Sequence, residues 1–118
     1  MESALKNQVG GKHYKLFKIQ PIELITRTNL SFIQGNIVKY ISRYKAKNGK
    51  QDIEKCIHYA ELAIELEESN QSPIPFGYTY CRANSLSQGQ TNVVIDAMRG
   101  DYYNVIRQCN QIIKQEYS

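Results

Sequence analysis

Apolar residues recur at helical spacing between Ser31 and Leu66 and predict two consecutive helices. Ser31 and Gln34 form a capping-box pattern, which predicts that the first helix begins here. The apolar face of that helix comprises Ile33, Ile37, Ile41 and Tyr44. Because the basic turn at residues 45–50 contains the turn-forming pair Asn48 and Gly49, we expect the first helix to end there.

The second helix is predicted over residues 51–69, with Asp52 in the first turn, where the helix dipole favours an acid. Its core face comprises Ile53, Cys56, Ile57, Ala60 and Ile64. A second, mixed stripe comprises Lys55, Tyr59, Leu62 and Leu66. A helix with apolar residues on two sides usually has two neighbours, and one of them can belong to another subunit. The pattern therefore favours a homo-oligomer over a lone monomer.

Shorter elements are predicted before this helix pair. Residues 1–12 are polar and end in two glycines, which is typical of a flexible arm or a glycine turn. In residues 13–20 apolar and polar positions partly alternate, as in an extended segment. A short helix is then expected to begin at Pro21 and to close at Thr28 and Asn29.

After residue 69 the pattern predicts a linker with an extended segment over 70–82 and a helical hairpin over 83–118. Pro73 and Pro75 favour extended backbone, and residues 76–80 could pair with 14–20 in a short two-stranded β element. Gly100 separates the last two helices, and Asp101 caps the second of them. No internal repeat is evident. We therefore predict a mainly α fold, a single domain over residues 1–118 with about five helices.

Composition places few limits on function. The chain has 118 residues, of which 42% are hydrophobic, as in a single globular domain. Nine tyrosines and no tryptophan suit a wet binding surface. The net charge of +4 permits an anionic partner. The charge is uneven, because residues 39–55 hold six Lys or Arg against two acids, whereas residues 56–71 hold four Glu and neither Lys nor Arg.

Three cysteines, Cys56, Cys81 and Cys109, are widely separated and have no metal-ligand spacing, so we expect no metal site. Cys56 and Cys109 occupy apolar helical positions and are predicted core residues. Free thiols favour a reducing, cytoplasmic compartment. No apolar run reaches transmembrane length, so we expect a protein that is not inserted in a membrane.

Candidate chemistry lies on the polar side of the first predicted helix. Asn36, Lys39 and Arg43 fall in one narrow stripe, with Tyr40 between this stripe and the apolar face. An amide, an ammonium and a guanidinium in a row suit a phosphate or carboxylate ligand. Spacing alone nevertheless favours a solvated basic face without a ligand.

Three other patterns in the chain suggest different chemistry. Gly10-Gly11-Lys12 could form an anion-binding nest, although such short glycine turns are common. No Walker A loop is present. Glu61, Glu65 and Glu68 recur at helical spacing and could hold Mg²⁺, but a solvated acidic face is the better interpretation. Binding of nucleic acid by the basic patch ranks third, because the patch is short.

Several motifs taken together resemble the small, largely phage-encoded "SaV-like" family. These are His13-Tyr14, Pro21-Ile22, Gly35-Asn36-x-x-Lys39-Tyr40-x-x-Arg43 and Asp52-x-x-Lys55-x-x-x-Tyr59. The resemblance covers roughly residues 10–68, so that residues 10–69 form a family-like core. It implies a helical, oligomeric protein with a nucleotide-related function, since the family includes nucleoside monophosphate kinases without a P-loop.

The resemblance also implies the positions of a ligand site. These are His13, Tyr14, Asn36, Lys39, Tyr40, Arg43, Asp52, Lys55 and Tyr59. Lys39, Arg43 and Lys55 would hold phosphates, whereas Tyr14 and Tyr40 would stack on or border the base. Asn36 would hydrogen-bond the ligand, and Asp52 would orient a basic side chain or meet a ribose hydroxyl. His13 and Tyr14 of one subunit could meet Lys39 and Arg43 of another.

From these residues and the resemblance we expect an oligomeric phage protein that binds a nucleotide, a cyclic nucleotide or a nucleotide-derived signal through its phosphates. Such a protein could sequester a host immune signal in the host cytoplasm. The alternative is a nucleoside monophosphate kinase, which would need Mg²⁺. A scaffold that binds nucleic acid or protein is a third hypothesis. Catalytic residues stay unassigned, because only Asp52 is an obvious acid near the basic stripe.

Overall fold

The computed structural model describes residues 3–7, 9 and 16–118, and this part of the chain is mainly helical. Six α-helices are present there: α1 Pro21–Thr28, α2 Phe32–Arg43, α3 Lys50–Glu65, α4 Pro75–Ala83, α5 Gln88–Met98 and α6 Tyr102–Tyr117. Two 3-10 helices span Ala4–Lys6 and Tyr44–Ala46. The predicted helical class is confirmed, and the described residues include no helix long and apolar enough to cross a membrane.

The helices pack in three layers of two. α2 and α5 contact each other in the middle, α3 and α6 pair on one side, and α1 and α4 pair on the other. α5 is buried on most sides, and its buried run extends without a break from Val93 to Met98. The two neighbours expected for α3 are α2 and α6 of the same chain, so neither of them needs another subunit. Homo-oligomerisation stays a prediction, and the two apolar sides of α3 no longer support it.

The two halves of the chain repeat one arrangement, which the sequence alone does not reveal. α1 and α4 both begin at a proline, and α3 and α6 both have 16 residues. The contacts of α2 with α1 and α3 are matched by those of α5 with α4 and α6. This is a repeat of packing and not of sequence, because the second half repeats the helix contacts of the first with different surface residues.

Two capping glutamines join the central helices. Ser31 and Gln34 form the predicted capping box of α2, and Ser87 and Gln90 form the same box on α5. The Gln34 amide then donates to the carbonyl of Ala97 at 2.9 Å, while the Gln90 amide donates to the carbonyl of Ile41 at 2.9 Å. Each glutamine thus caps its own helix and bonds the far end of the other helix. This reciprocal pair fixes α2 and α5 antiparallel.

Residues 76–80 are helical, so the short β element with residues 14–20 does not form. Pro75 occupies the first turn of α4, where its fixed φ is compatible with a helix. Gly77 and Tyr80 face the core at helical spacing, and a Cβ on Gly77 would lie 2.4 Å from the sulfur of Met98. Close packing on α5 therefore overrides the strand-favouring sequence, and only residues 70–74 of the predicted extended segment are non-helical.

Helix α3 ends at Glu65, four residues before the predicted end. Glu67 adopts a left-handed backbone with φ of 55°, and the N–H of Glu68 donates to the carbonyl of Ala63 at 2.9 Å. This is a Schellman motif without glycine. It turns Glu68 away from the predicted acidic face and toward Tyr102, whose hydroxyl donates to the Glu68 carboxylate. Burial, together with this bond, raises the pKa of Tyr102 above its usual range.

The predicted core is largely confirmed. In α2, Ile37 and Ile41 are fully buried, and Tyr44, which begins the 3-10 turn after the helix, is buried with them. All three cysteines are buried and free, as expected for Cys56 and Cys109. Burial raises the pKa of the Cys81 thiol to about 11, so this thiol is protonated at neutral pH.

We expect Gln34→Ala to lower the free energy of unfolding by about 2–3 kcal/mol, because buried carbonyls at the end of α5 lose their donor. Gln34 is fully buried, whereas Gln111 on α6 is exposed, so Gln111→Ala serves as the matched control. Urea unfolding followed by circular dichroism measures both variants. Equal stability of the two variants would contradict the role given to the reciprocal glutamines.

Candidate functional site

A row of aromatic rings lies along the outer groove between α2 and α3. Tyr40 on α2 stacks on Tyr59 of α3, with ring centroids 6.0 Å apart and planes inclined by 18°. Phe32 meets Tyr59 edge-on at 6.2 Å and is 77% exposed. The three rings thus run from Phe32, the first residue of α2, to Tyr40, three residues before the end of that helix.

Three cationic groups surround the Tyr40 ring. The distances from its centroid are 4.6 Å to Lys39 Nζ, 4.8 Å to Arg43 Cζ and 4.9 Å to Lys55 Nζ. Each contact places a cation over the electron-rich ring, an attraction of about 0.5–2 kcal/mol. We call Lys39, Tyr40, Arg43 and Lys55 the cationic cluster. The ring therefore holds three cationic side chains close to one another.

Asp52 lies beneath the cationic cluster and is fully buried. Its carboxylate accepts a hydrogen bond from Arg43 Nε at 3.3 Å, and Lys55 Nζ lies 3.8 Å from its other oxygen. Asn48 contributes its backbone N–H and its side-chain amide, both at 3.4 Å. The position in the first turn of α3 adds the favourable helix dipole. Asp52 therefore holds Arg43 in place and attracts the more mobile ammonium of Lys55.

The balance of charge leaves the cluster positive. Lys39, Arg43 and Lys55 carry three positive charges against the single carboxylate of Asp52. The Lys55 side chain is 38% exposed and that of Arg43 is 11% exposed. A flexible ammonium thus stands at the surface above a guanidinium held by a buried acid. This arrangement attracts an anion that can use several donors at once.

The structure brings together six of the nine residues expected at the site: Lys39, Tyr40, Arg43, Asp52, Lys55 and Tyr59. Asn36 lies one helical turn before Tyr40, and its amide donates to the carbonyl of Phe32 at 2.9 Å. His13 and Tyr14 lie outside the described residues. Binding of a ligand by these positions remains a prediction.

The glycine of the sequence motif has a packing role. A Cβ on Gly35 would lie 3.2 Å from the side chain of Ile25, so glycine allows α1 to approach α2 closely. This approach brings α1 beside Lys39. Together they line a cleft of about 310 Å³, whose walls also include Asn7, Val9 and Gln20. No motif or periodicity predicts this cleft, because it depends on packing between distant segments.

The basic turn after α2 and the acidic residues of α3 form no comparable site among the described residues. Lys45 and Lys47 are exposed in the turn after α2, and Lys45 Nζ lies 5.9 Å from the centroid of the Tyr44 ring. Glu61 and Glu65 are exposed on α3, in agreement with a solvated acidic face. Within the part of the chain that the structure describes, no three His, Cys, Asp or Glu side chains are grouped as metal ligands.

We expect Asp52→Ala to lower the free energy of unfolding by about 3 kcal/mol, because a largely buried guanidinium loses its carboxylate. Asp52→Asn keeps the shape and part of the hydrogen bonding, so a smaller loss is expected. Glu54→Ala removes an exposed acid from the same helix and is the control. Chemical unfolding measures all three variants, and an Asp52→Ala loss no larger than that of Glu54→Ala would contradict the structural role of the pair.

Comparison with known families gives one match. Residues 8–61 match the family described as "Protein of unknown function (DUF3310)". The matched segment contains every member of the cationic cluster, together with Asp52 and Tyr59, and lies in the first of the two structural halves. No curated protein and no solved structure matches the chain.

Proposed function

We propose that this protein binds a nucleotide or a nucleotide-derived signal through its phosphates, at the cationic cluster. The observation that carries this proposal is the meeting of three cations on one tyrosine ring, with a single buried carboxylate among them. The excess of positive charge is local and structured, which distinguishes it from the solvated basic face that spacing alone favours.

The donors suit phosphate oxygens for different reasons. Lys39 and Lys55 end in ammonium groups with three donors each, and their flexible stems can follow a phosphate chain. Arg43 is held by Asp52, so it adds fixed charge with little loss of side-chain entropy when a ligand binds. A phosphate in the groove would thus meet one preorganised cation and two adjustable ones.

Binding without turnover is the better-supported activity. Phosphoryl transfer uses Mg²⁺ held by acids to neutralise the transferred group. Asp52 is the acid at this site, and both of its oxygens already contact Arg43, Asn48 or Lys55. To hold a metal, Asp52 would have to exchange these partners. Its position instead supports the expected role of orienting basic side chains.

A nucleoside monophosphate kinase remains the second candidate, because the motif resembles a family that includes such enzymes. In a kinase, Asp52 would be required for turnover, and product diphosphate would form from ATP and a monophosphate. A sequestering protein would return its ligand unchanged. We propose the sequestering role, in a phage protein that lowers the free concentration of a host immune signal.

The cluster also predicts the stoichiometry. In the second half, the positions that correspond to Lys39 and Tyr40 hold Ile95 and Asp96. The second half therefore has neither a lysine nor a tyrosine at these positions, and the group of three cations around a tyrosine ring belongs to the first half. One ligand per chain is expected if the site lies within one subunit, and half of that if two subunits share each ligand.

We expect the double variant Lys39→Ala/Lys55→Ala to lower nucleotide affinity more than tenfold, because two charged donors to phosphate are lost, each contributing about 1.5–3 kcal/mol. Arg43 is left intact so that Asp52 keeps its partner. The matched control is Lys6→Ala/Lys114→Ala, which removes the same charge from exposed positions outside the cluster.

Titration calorimetry with the nucleotide that binds the wild-type protein best would measure both variants. Unchanged affinity in the Lys39→Ala/Lys55→Ala protein would contradict the assignment of the site. An equal loss in the two double variants would show that only net charge matters, and would favour the nucleic-acid or scaffold hypothesis.

A further inference from the structure

The position of Tyr40 bears on where the base of a bound nucleotide lies. Its ring contacts Tyr59 and has Lys39, Arg43 and Lys55 packed around it. A base could stack on this ring only by displacing these groups. Such displacement would move the three cations away from the positions proposed to bind phosphate. The base and the phosphates of the ligand therefore need different surfaces.

The cleft beside Lys39 offers such a surface. Pro21, Ile22 and Ile25 of α1 give it an apolar wall. Asn7 and Gln20 also line it, and the Gln20 amide donates to the carbonyl of Leu5. Ile22 is 52% exposed there. The volume of about 310 Å³ lies at the small end of ligand pockets, which range over roughly 300–1,000 Å³.

Lys39 is part of both the cleft and the cationic cluster. Its residue lines the cleft, and its ammonium lies 4.6 Å from the centroid of the Tyr40 ring. A ligand that contacts Lys39 with its first phosphate can therefore extend on one side into the cleft and on the other toward Lys55. Among the residues that the structure describes, the others that line the cleft are uncharged. The cleft thus suits a flat, uncharged group with hydrogen-bonding edges.

We propose that this cleft holds the nucleobase, with its sugar, of the ligand whose phosphates bind the cationic cluster; this rests on the proposed function. Pro21 and Ile22 pack against the face of the base, and the amide of Asn7 meets its polar edge. Burial of an exposed isoleucine against a flat ring supplies affinity that inorganic phosphates cannot gain.

The test compares ATP, GTP, CTP and UTP with inorganic tripolyphosphate, which has the same phosphate chain and no nucleoside. Wild-type protein should bind at least one of the nucleotides about tenfold more tightly than tripolyphosphate. Ile22→Ser should lower the affinity for that nucleotide about fivefold, because the wall loses its apolar contact, and should change tripolyphosphate affinity by less than about twofold.

Leu66→Ser is the matched control, since Leu66 is an aliphatic residue, 68% exposed, that does not line the cleft. The melting temperature of each variant shows whether the fold is kept. Nucleotides that bind no more tightly than tripolyphosphate would overturn the base site while leaving phosphate binding intact. Parallel losses for nucleotide and tripolyphosphate in Ile22→Ser would also overturn it. If none of these compounds binds, the proposed function fails as well.

Discussion

The reciprocal hydrogen bonds of Gln34 and Gln90 are the constraint on which the rest of the structure depends. Each amide leaves its own helix start and bonds a buried carbonyl near the far end of the partner helix. Inside a core, such bonds are strong and costly to leave unmade. They therefore fix the direction and register of α2 and α5, and the outer helix pairs pack against this central layer.

The candidate site follows from this arrangement. With one face of α2 held against α5, its outer face meets α3, and Tyr40 comes opposite Lys55 and Tyr59. The candidate site thus lies in the first half of the chain. The second half repeats the packing and supplies the surface against which α2 and α3 are held. The family match over residues 8–61 is consistent with this division.

Local signals in the sequence predicted much of the fold. The capping box at Ser31, the proline at the start of α1 and the glycine after α5 were sufficient for three helix ends, because each acts through its own backbone. The strand proposed at 76–80 failed because aromatic residues favour strands until packing decides otherwise, and here Gly77 must fit against Met98. The repeated packing of the two halves is not predictable from the sequence, because the halves share packing positions and few surface residues.

The site was predictable where its residues share a helix or a motif. Lys39 and Arg43 lie on one helix face, so spacing alone places them together. The contact of the buried Asp52 with Arg43 depends on the angle of the turn before α3, which no periodicity specifies. The cleft beside Lys39 requires α1 and the segment near Asn7 to meet, and only the tertiary structure shows this.

The most direct test of the account is a thermal-shift screen of mono-, di-, tri- and cyclic nucleotides, followed by chemical recovery of each stabilising ligand. A ligand that binds the folded state raises the melting temperature by mass action. The account predicts that at least one nucleotide raises it in a concentration-dependent manner and is recovered unchanged. Absence of a shift with every nucleotide would contradict nucleotide binding, and recovery of a phosphorylated product would replace sequestration by kinase activity.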